Sequence, residues 1–248
     1  MLLILVYHRI AEPGRDLYTV APASFAAQLR QIGRCGLPVV DPQALPQWRG
    51  AGVLLSFDDG TAEHAQLVCP WLEQQGMRGL FLVPTRRLGQ PGFLGPRQLE
   101  RMHRAGHVIG SHGHSHCRLD RMPPRELAAD LARSRAAIQN ILGRPPMYVA
   151  PAGGFMSRRV TSACLAAGYG IIRTLSWGYN RNLDARALQA IPVVGSLPPA
   201  AFAALLAGRH ETFLRSAYAA KNAVRYALPV YAQLRNSLAA LGSRNFHE

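Results

Sequence analysis

Ser56-Phe57-Asp58-Asp59-Gly60 sets two carboxylates side by side where an apolar run ends at a glycine. Adjacent carboxylates repel, and holding both near an apolar core requires a cation or a shared proton. The pair therefore points to metal binding combined with acid–base work. Asp-Asp-Gly also makes ordinary turns, so the pair alone does not decide. Farther along, Ile109-Gly110-Ser111 leads into His112-Gly113-His114-Ser115-His116. His112 and His116 stand four apart, a spacing that puts two imidazoles on one side of a helical turn and suits capture of one metal, with His114 pointing away. Solvated loop histidines are the competing explanation. Together the two segments offer two histidines and a carboxylate, with metal positions left open for water and substrate.

Such residues need rigid elements to hold them. Short β-like runs at 2–7, 52–57, 79–83, 107–110, 148–150, 170–174 and 190–194 alternate with helical patterns at 24–35, 62–75, 95–105, 124–142 and 157–167. Several of the helices open on Ser or Pro and close near Gly. The alternation predicts an α/β fold, a parallel sheet or barrel of seven β/α repeats with helices outside. In such folds chemistry sits on loops leaving the carboxyl ends of strands, which is where the polar residues of interest fall.

With 248 residues, 48% of them hydrophobic, the chain can bury the core of one large domain. We expect a catalytic domain over 1–204 and a helical extension over 205–248. Within the extension, 209–245 interleaves Phe213, Leu214, Tyr218, Val224, Leu228 and Tyr231 with Arg215, Lys221, Arg225 and Arg235, and reads as two basic amphipathic helices broken near Pro229. These could pack on the barrel or attach peripherally to an anionic membrane. The apolar start, Leu2 to Val6, lacks a basic leading region and is too short for a signal core, so it reads as a buried first strand and the expected location is cytoplasmic. Cys35, Cys69, Cys117 and Cys164 form no CxxC pair, which argues against a disulfide framework or a thiolate zinc site. The formal charge of +14 favours anionic partners, but Lys221 is the only lysine and the arginines are dispersed without a nucleic-acid-binding motif, so no nucleic acid is expected.

Taken in order, these pieces resemble the polysaccharide deacetylases, or NodB-type carbohydrate esterases, over most of Met1 to Val194. Ser56-Phe57-Asp58-Asp59-Gly60 looks like the family's first motif and His112-Gly113-His114-Ser115-His116-Cys117-Arg118-Leu119 like its second. The resemblance implies a distorted (β/α)7 barrel in which Asp59, His112 and His116 hold a divalent metal, zinc first and Co2+, Ni2+ or Fe2+ as alternatives, with Asp58 as catalytic base. The third motif departs from the commonest form. Val149-Ala150-Pro151-Ala152-Gly153-Gly154 is closer to the version in exopolysaccharide-modifying members, and Val149 stands where an arginine would steady the base. Arg173, at the end of a later strand, is the substitute we expect. Pro151 and Ala152 would line the substrate site, the Ala152 backbone N–H supplying an oxyanion contact. The family's Leu-x-His is also missing, Ile191-Pro192-Val193-Val194 standing in its place. His8, closing the first strand after Tyr7, then becomes the expected general acid, as a Tyr-His at that place is in the similar branch. Trp177 could stack on a sugar ring.

The expected activity is removal of N-acetyl groups from N-acetylhexosamines of a surface polysaccharide or its lipid-linked precursor, at the inner face of the membrane if the basic helices attach there. Two alternatives stay open: an O-acetyl esterase on carbohydrate, and a non-catalytic glycan-binding protein.

Overall fold

Leu2 pairs with Gly52 and Tyr7 with Phe57 at the two ends of a parallel ladder whose residues are all buried. Runs apolar on both faces suit a strand covered on both sides, the usual place of a parallel strand. A computed structural model of the chain describes residues 1–12, 14, 16–209, 212, 216–220 and 223. In chain order its elements are β1 (Leu2–Tyr7), β2 (Arg9–Ile10), β3 (Thr19–Val20), α1 (Pro22–Arg34), β4 (Gly52–Phe57), α2 (Cys69–Gln74), β5 (Gly79–Val83), α3 (Pro96–Arg104), β6 (Val108–Ser111), α4 (Pro124–Leu142), β7 (Tyr148–Val149), α5 (Arg158–Ala166), β8 (Ile171–Ile172), β9 (Ile191–Pro192) and α6 (Pro199–Leu206).

Seven strands form one parallel sheet in the order β8-β7-β6-β5-β4-β1-β9, while β2 and β3 pair separately. The sheet curls so that alternate side chains from its two ends meet: Leu2, Ile4, Val6, Leu54, Leu80, Leu82, Tyr148 and Ile171 share one buried cluster. On the outer face Val149 and Ile172 pack with Leu127 and Leu131 of α4 and Val160 and Cys164 of α5. β8 and β9 do not pair with each other. The seam between them is filled by irregular chain, bridged where Arg173 faces Leu188 and where Asn180 exchanges two 2.9 Å backbone hydrogen bonds with Leu2. This is the distorted seven-stranded α/β barrel expected from the sequence.

Local signals place most helix ends. Pro opens α1, α3, α4 and α6, the Ser157 hydroxyl accepts from Val160 N at the start of α5, and Gly143 ends α4 at φ 73°. Four differences from the sequence-based elements stand out. β7, β8 and β9 are only two residues each, because their continuations leave the sheet to build loops. The helix expected over 62–75 is a π-helical turn, His64–Val68, followed by α2. Pro70 has no N–H to give the preceding turn, and Cys69 N bonds His64 O five residues back. β2, β3 and α6 were not anticipated from periodicity. α6 runs through position 204, and the compact unit is Met1–Arg209. The two basic helices expected over 209–245 lie largely outside the described residues. Among those described, no helix is long and apolar enough to cross a membrane.

Candidate metal centre

Because strand side chains alternate, the inward positions two residues beyond the barrel core form one further layer at the carboxyl ends of the strands. Extending the registers by one residue sets His8 level with Asp58, His112 level with Ala150, and Ala150 level with Arg173. Four of these five are polar, at the mouth of a barrel whose interior is mostly apolar.

Asp59, His112 and His116 bring one ligand atom each to within 4.8 Å of the others. Asp59 Oδ1 lies 2.8 Å from His116 Nε2 and 3.5 Å from His112 Nε2. His112 Nδ1 donates to the Ala150 carbonyl at 2.7 Å, so Nε2 carries the free lone pair. A lone-pair nitrogen therefore faces a carboxylate oxygen at 3.5 Å, an arrangement that a divalent cation compensates and that fits the family's ligand set. Burial, with the neighbouring His116 and Arg173, pushes the His112 pKa down to about 4 despite Asp58 and Asp59, which keeps the imidazole neutral and ready to ligate. Burial alone would raise the Asp59 carboxyl, but the hydrogen bond with His116 and the surrounding imidazoles hold it well below the usual carboxylate range.

Asp59 and His116 are also the positive-φ residues other than glycine among those described, at φ 72° and 59°. A non-glycine residue in that region costs on the order of 1 kcal/mol, and such strain gathers where surrounding structure over-determines a site. The helical turn expected from the His112–His116 spacing does not form. Gly113, at φ 78°, turns the chain out of helical geometry, and the loop is held from outside. Asp130 of α4, almost fully buried, accepts from His114 N at 2.7 Å and Ser115 N at 2.9 Å. Ser134, one turn on, donates to Gly113 O, and Thr85 N donates to the same carbonyl. His114 is turned to Thr85 Oγ1, 2.9 Å from its Nδ1, and stays out of the ligand set.

Asp58, fully buried, is bridged by Arg173, whose Nη2 donates to both carboxylate oxygens at 2.5 Å. The cation missing at Val149 is thus supplied from one strand farther along the sheet. Asp58 Oδ2 lies 3.9 Å from His112 Nε2, so a carboxylate outside the ligand set borders it. His8 stacks on Tyr18 with ring centroids 4.8 Å apart. Its carbonyl accepts from His64 Nε2 at 2.7 Å. His64, fully buried on the π-helical turn and kept from charging by burial, fixes the backbone at His8 and was passed over in the sequence because nothing in its spacing announces a contact fifty-six residues back. Ala152 begins a tight turn after Pro151 in which Gly153 and Gly154 both have φ 68°, and no described backbone carbonyl accepts from its N–H. Trp177 sits midway along the segment running from Arg173, at the ligand end, to Asn180, at the opposite end. That position leaves three residues between it and the site's arginine.

Residues 49–172 match the family model described as polysaccharide deacetylase, a span holding both carboxylates and both histidines. The chain belongs to the polysaccharide deacetylase family. Among its relatives, the Bacillus subtilis protein YxkH, assigned only provisionally by name to the polysaccharide deacetylases, is 24% identical over 211 residues, covering 82% of this chain and 75% of its own. The peptidoglycan-N-acetylglucosamine deacetylase of Bacillus cereus is 28% identical over 105 residues, 42% of this chain and 37% of that one. Among solved structures, IcaB from Ammonifex degensii superposes with a TM-score of 0.72 at 26% identity, covering 83% of this chain and 95% of its own.

A second group in this deacetylase-family chain, Cys69, Glu73 and His107, also has ligand atoms within 4.8 Å of one another. It does not fit a metal. His107 Nδ1 accepts from Gly79 N at 3.1 Å, so the ring's proton is on Nε2, facing Glu73 Oε1 at 3.4 Å. Burial pushes the Cys69 thiol up to about 12, which keeps it protonated.

Proposed function

We propose that the chain is a metal-dependent N-deacetylase acting on N-acetylhexosamine residues of a surface polysaccharide or its lipid-linked precursor. The observation that carries this reading is the buried Arg173–Asp58 pair beside the ligand set, a carboxylate held in place by the guanidinium without being used as a ligand. Relatives whose names specify an N-acetylglucosamine polymer, such as the B. cereus peptidoglycan deacetylase, support the choice of substrate class.

When bound, the divalent cation supplies Lewis acidity to water and to the amide carbonyl. Asp58 takes the proton as water attacks the acetamide carbon, and Arg173 holds its carboxylate aimed while it does so. The Ala152 N–H donates to the oxygen that becomes negative in the tetrahedral transition state, an interaction worth about 3–4 kcal/mol in comparable sites. His8, level with Asp58 in the layer, hands a proton to the departing amine, so that acetate and a free amino sugar leave. The test is acetate release from N-acetylglucosamine oligomers by the metal-loaded protein, with chelator and with Asp58→Asn. Release that chelation and the substitution both abolish is the expected result. Activity confined to O-acetylated sugars would make the chain an esterase, and silence on every acetylated sugar despite bound metal would overturn the enzymatic reading.

A further inference from the structure

At the mouth of the barrel, the segment after β5 lies against both ligand-bearing loops. Leu94 N donates to Gly60 O, and Phe93 bridges to Thr61, two residues from Asp59. At its other end Thr85 N and Arg86 N donate to Gly113 O and His114 O, inside the histidine loop. Arg86 and Arg87 project from this wedged turn. The Arg87 guanidinium lies over the Phe93 ring, 5.0 Å from its centroid.

Charge compensation sets Arg86 and Arg87 apart from other arginines around the site, and the Phe93 contact distinguishes Arg87. Arg173 is paired with Asp58, Arg118 with Asp120, and Arg9 with Glu63 at 3.5 Å. Of the carboxylates left, Asp59 belongs to the ligand set and Asp130 is taken by the His114 and Ser115 N–H groups. Arg86 and Arg87 have no carboxylate within ion-pair distance among the described residues. The contact with the Phe93 ring holds the Arg87 guanidinium while leaving its N–H donors for a ligand, in the fork geometry that matches a carboxylate or phosphate. Because Phe93 already restrains the side chain, little further rotamer freedom is lost on binding.

We infer that the substrate is an anionic glycan, in which the N-acetylated sugar neighbours a unit carrying a carboxylate or phosphate, and that Arg87 recognises that charge. The inference rests on the deacetylase reading. It names the substrate class through a specificity residue, with Arg86 adding field at the rim.

Three probes distinguish the possibilities: neutral N-acetylglucosamine tetramer, an alternating N-acetylglucosamine–glucuronate tetrasaccharide for the carboxylate, and a nucleoside diphosphate N-acetylglucosamine for the phosphate. Binding to the metal-loaded protein is measured by calorimetry at low salt, alongside acetate release. At least one anionic probe is expected to bind about tenfold more tightly than the neutral tetramer, the equivalent of 1.4 kcal/mol. Arg87→Gln should collapse that ratio towards one, Arg87→Lys should recover part of it, and Arg144→Gln, a remote surface control, should leave it in place. Equal affinity for neutral and anionic probes overturns the inference, as does a ratio that Arg87→Gln leaves standing or that Arg144→Gln lowers equally. Acetate release from the neutral tetramer without anionic preference would leave the deacetylase reading intact and sink only this one. Anionic preference without acetate release from any probe would do the reverse.

Discussion

Two clusters in this protein put a carboxylate and a histidine beside a third potential ligand, and only one of them is built for a metal. In both, the ligand atoms lie within 4.8 Å of one another. The difference is what the far nitrogen of the histidine ring meets. His112 Nδ1 donates to a carbonyl, Ala150 O, leaving Nε2 as a lone pair aimed at the cluster, whereas His107 Nδ1 accepts an N–H from Gly79 and so presents a proton. Backbone conformation differs too. The metal-competent cluster holds two ligands at positive φ with a clamp from α4, while Cys69 and Glu73 ride one turn apart on α2. Proximity alone does not make a metal site; the hydrogen bonds behind the ligands set which atoms carry lone pairs.

The sharpest way to break this contrast is to remove ligands from each cluster. Wild type should take up one equivalent of Zn2+ by calorimetry. Asp59→Ala and His112→Ala should lose it beyond the roughly 10–100-fold weakening typical of changes behind a ligand, while Cys69→Ala should retain it unchanged. Two equivalents in wild type, one of them lost in Cys69→Ala, would erase the distinction.

Next comes the ion pair beside the first cluster. Arg173→Leu strands a buried carboxylate and should lower unfolding stability by about 3–5 kcal/mol in a denaturant titration. Adding Asp58→Asn should restore much of the loss, since the stranded charge is then gone. A double variant no more stable than the single one would show that the arginine acts through packing alone.

A smaller effect is expected at the second cluster. His107→Ala leaves the Gly79 N–H without its acceptor and should cost about 1–3 kcal/mol of stability, with the Zn2+ affinity of the first cluster unaltered. A large change in that affinity would couple the two groups.

The smallest effect is one of pH. His112 has its folded pKa near 4, below the roughly 6.5 of an unfolded histidine, so the unfolded chain takes up the proton first as pH falls. Stability is therefore full above about pH 6.5 and is lost progressively on acidification towards pH 4. Between pH 7.5 and 6, His112 should contribute a decrease of about 1 kcal/mol in the metal-free protein, read by denaturant titration. His64 and His107, also held neutral by burial, act in the same direction. Stability rising over that interval would contradict a buried neutral His112.

Much of the fold was legible because its signals are local. Apolar runs give β1, β4 and β5, prolines and Gly143 mark helix ends, and their alternation implies parallel connections. Shorter elements were misjudged where a strand turns early into a functional loop, as at β7 and β8, or where Pro70 forces a π-helical turn. In the centre itself, residue types and spacing pointed to a two-histidine, one-carboxylate metal site, and the family resemblance named Asp59 as its carboxylate. The same spacing misled on how the histidines are held, because a four-residue step suggests a helix when Gly113, Asp130 and Ser134 make an irregular loop instead.

By itself, then, the sequence determined the alternating α/β pattern and the chemical inventory at the strand ends, both written in neighbouring residues. Tertiary structure decided which groups meet. It brought Arg173 to Asp58 from 115 residues away, His64 to the carbonyl of His8, and Asp130 to the histidine loop. It also gave His112 and His107 opposite tautomers, since that choice rests on whether a carbonyl or an N–H lies behind the ring, and only the curled sheet determines which.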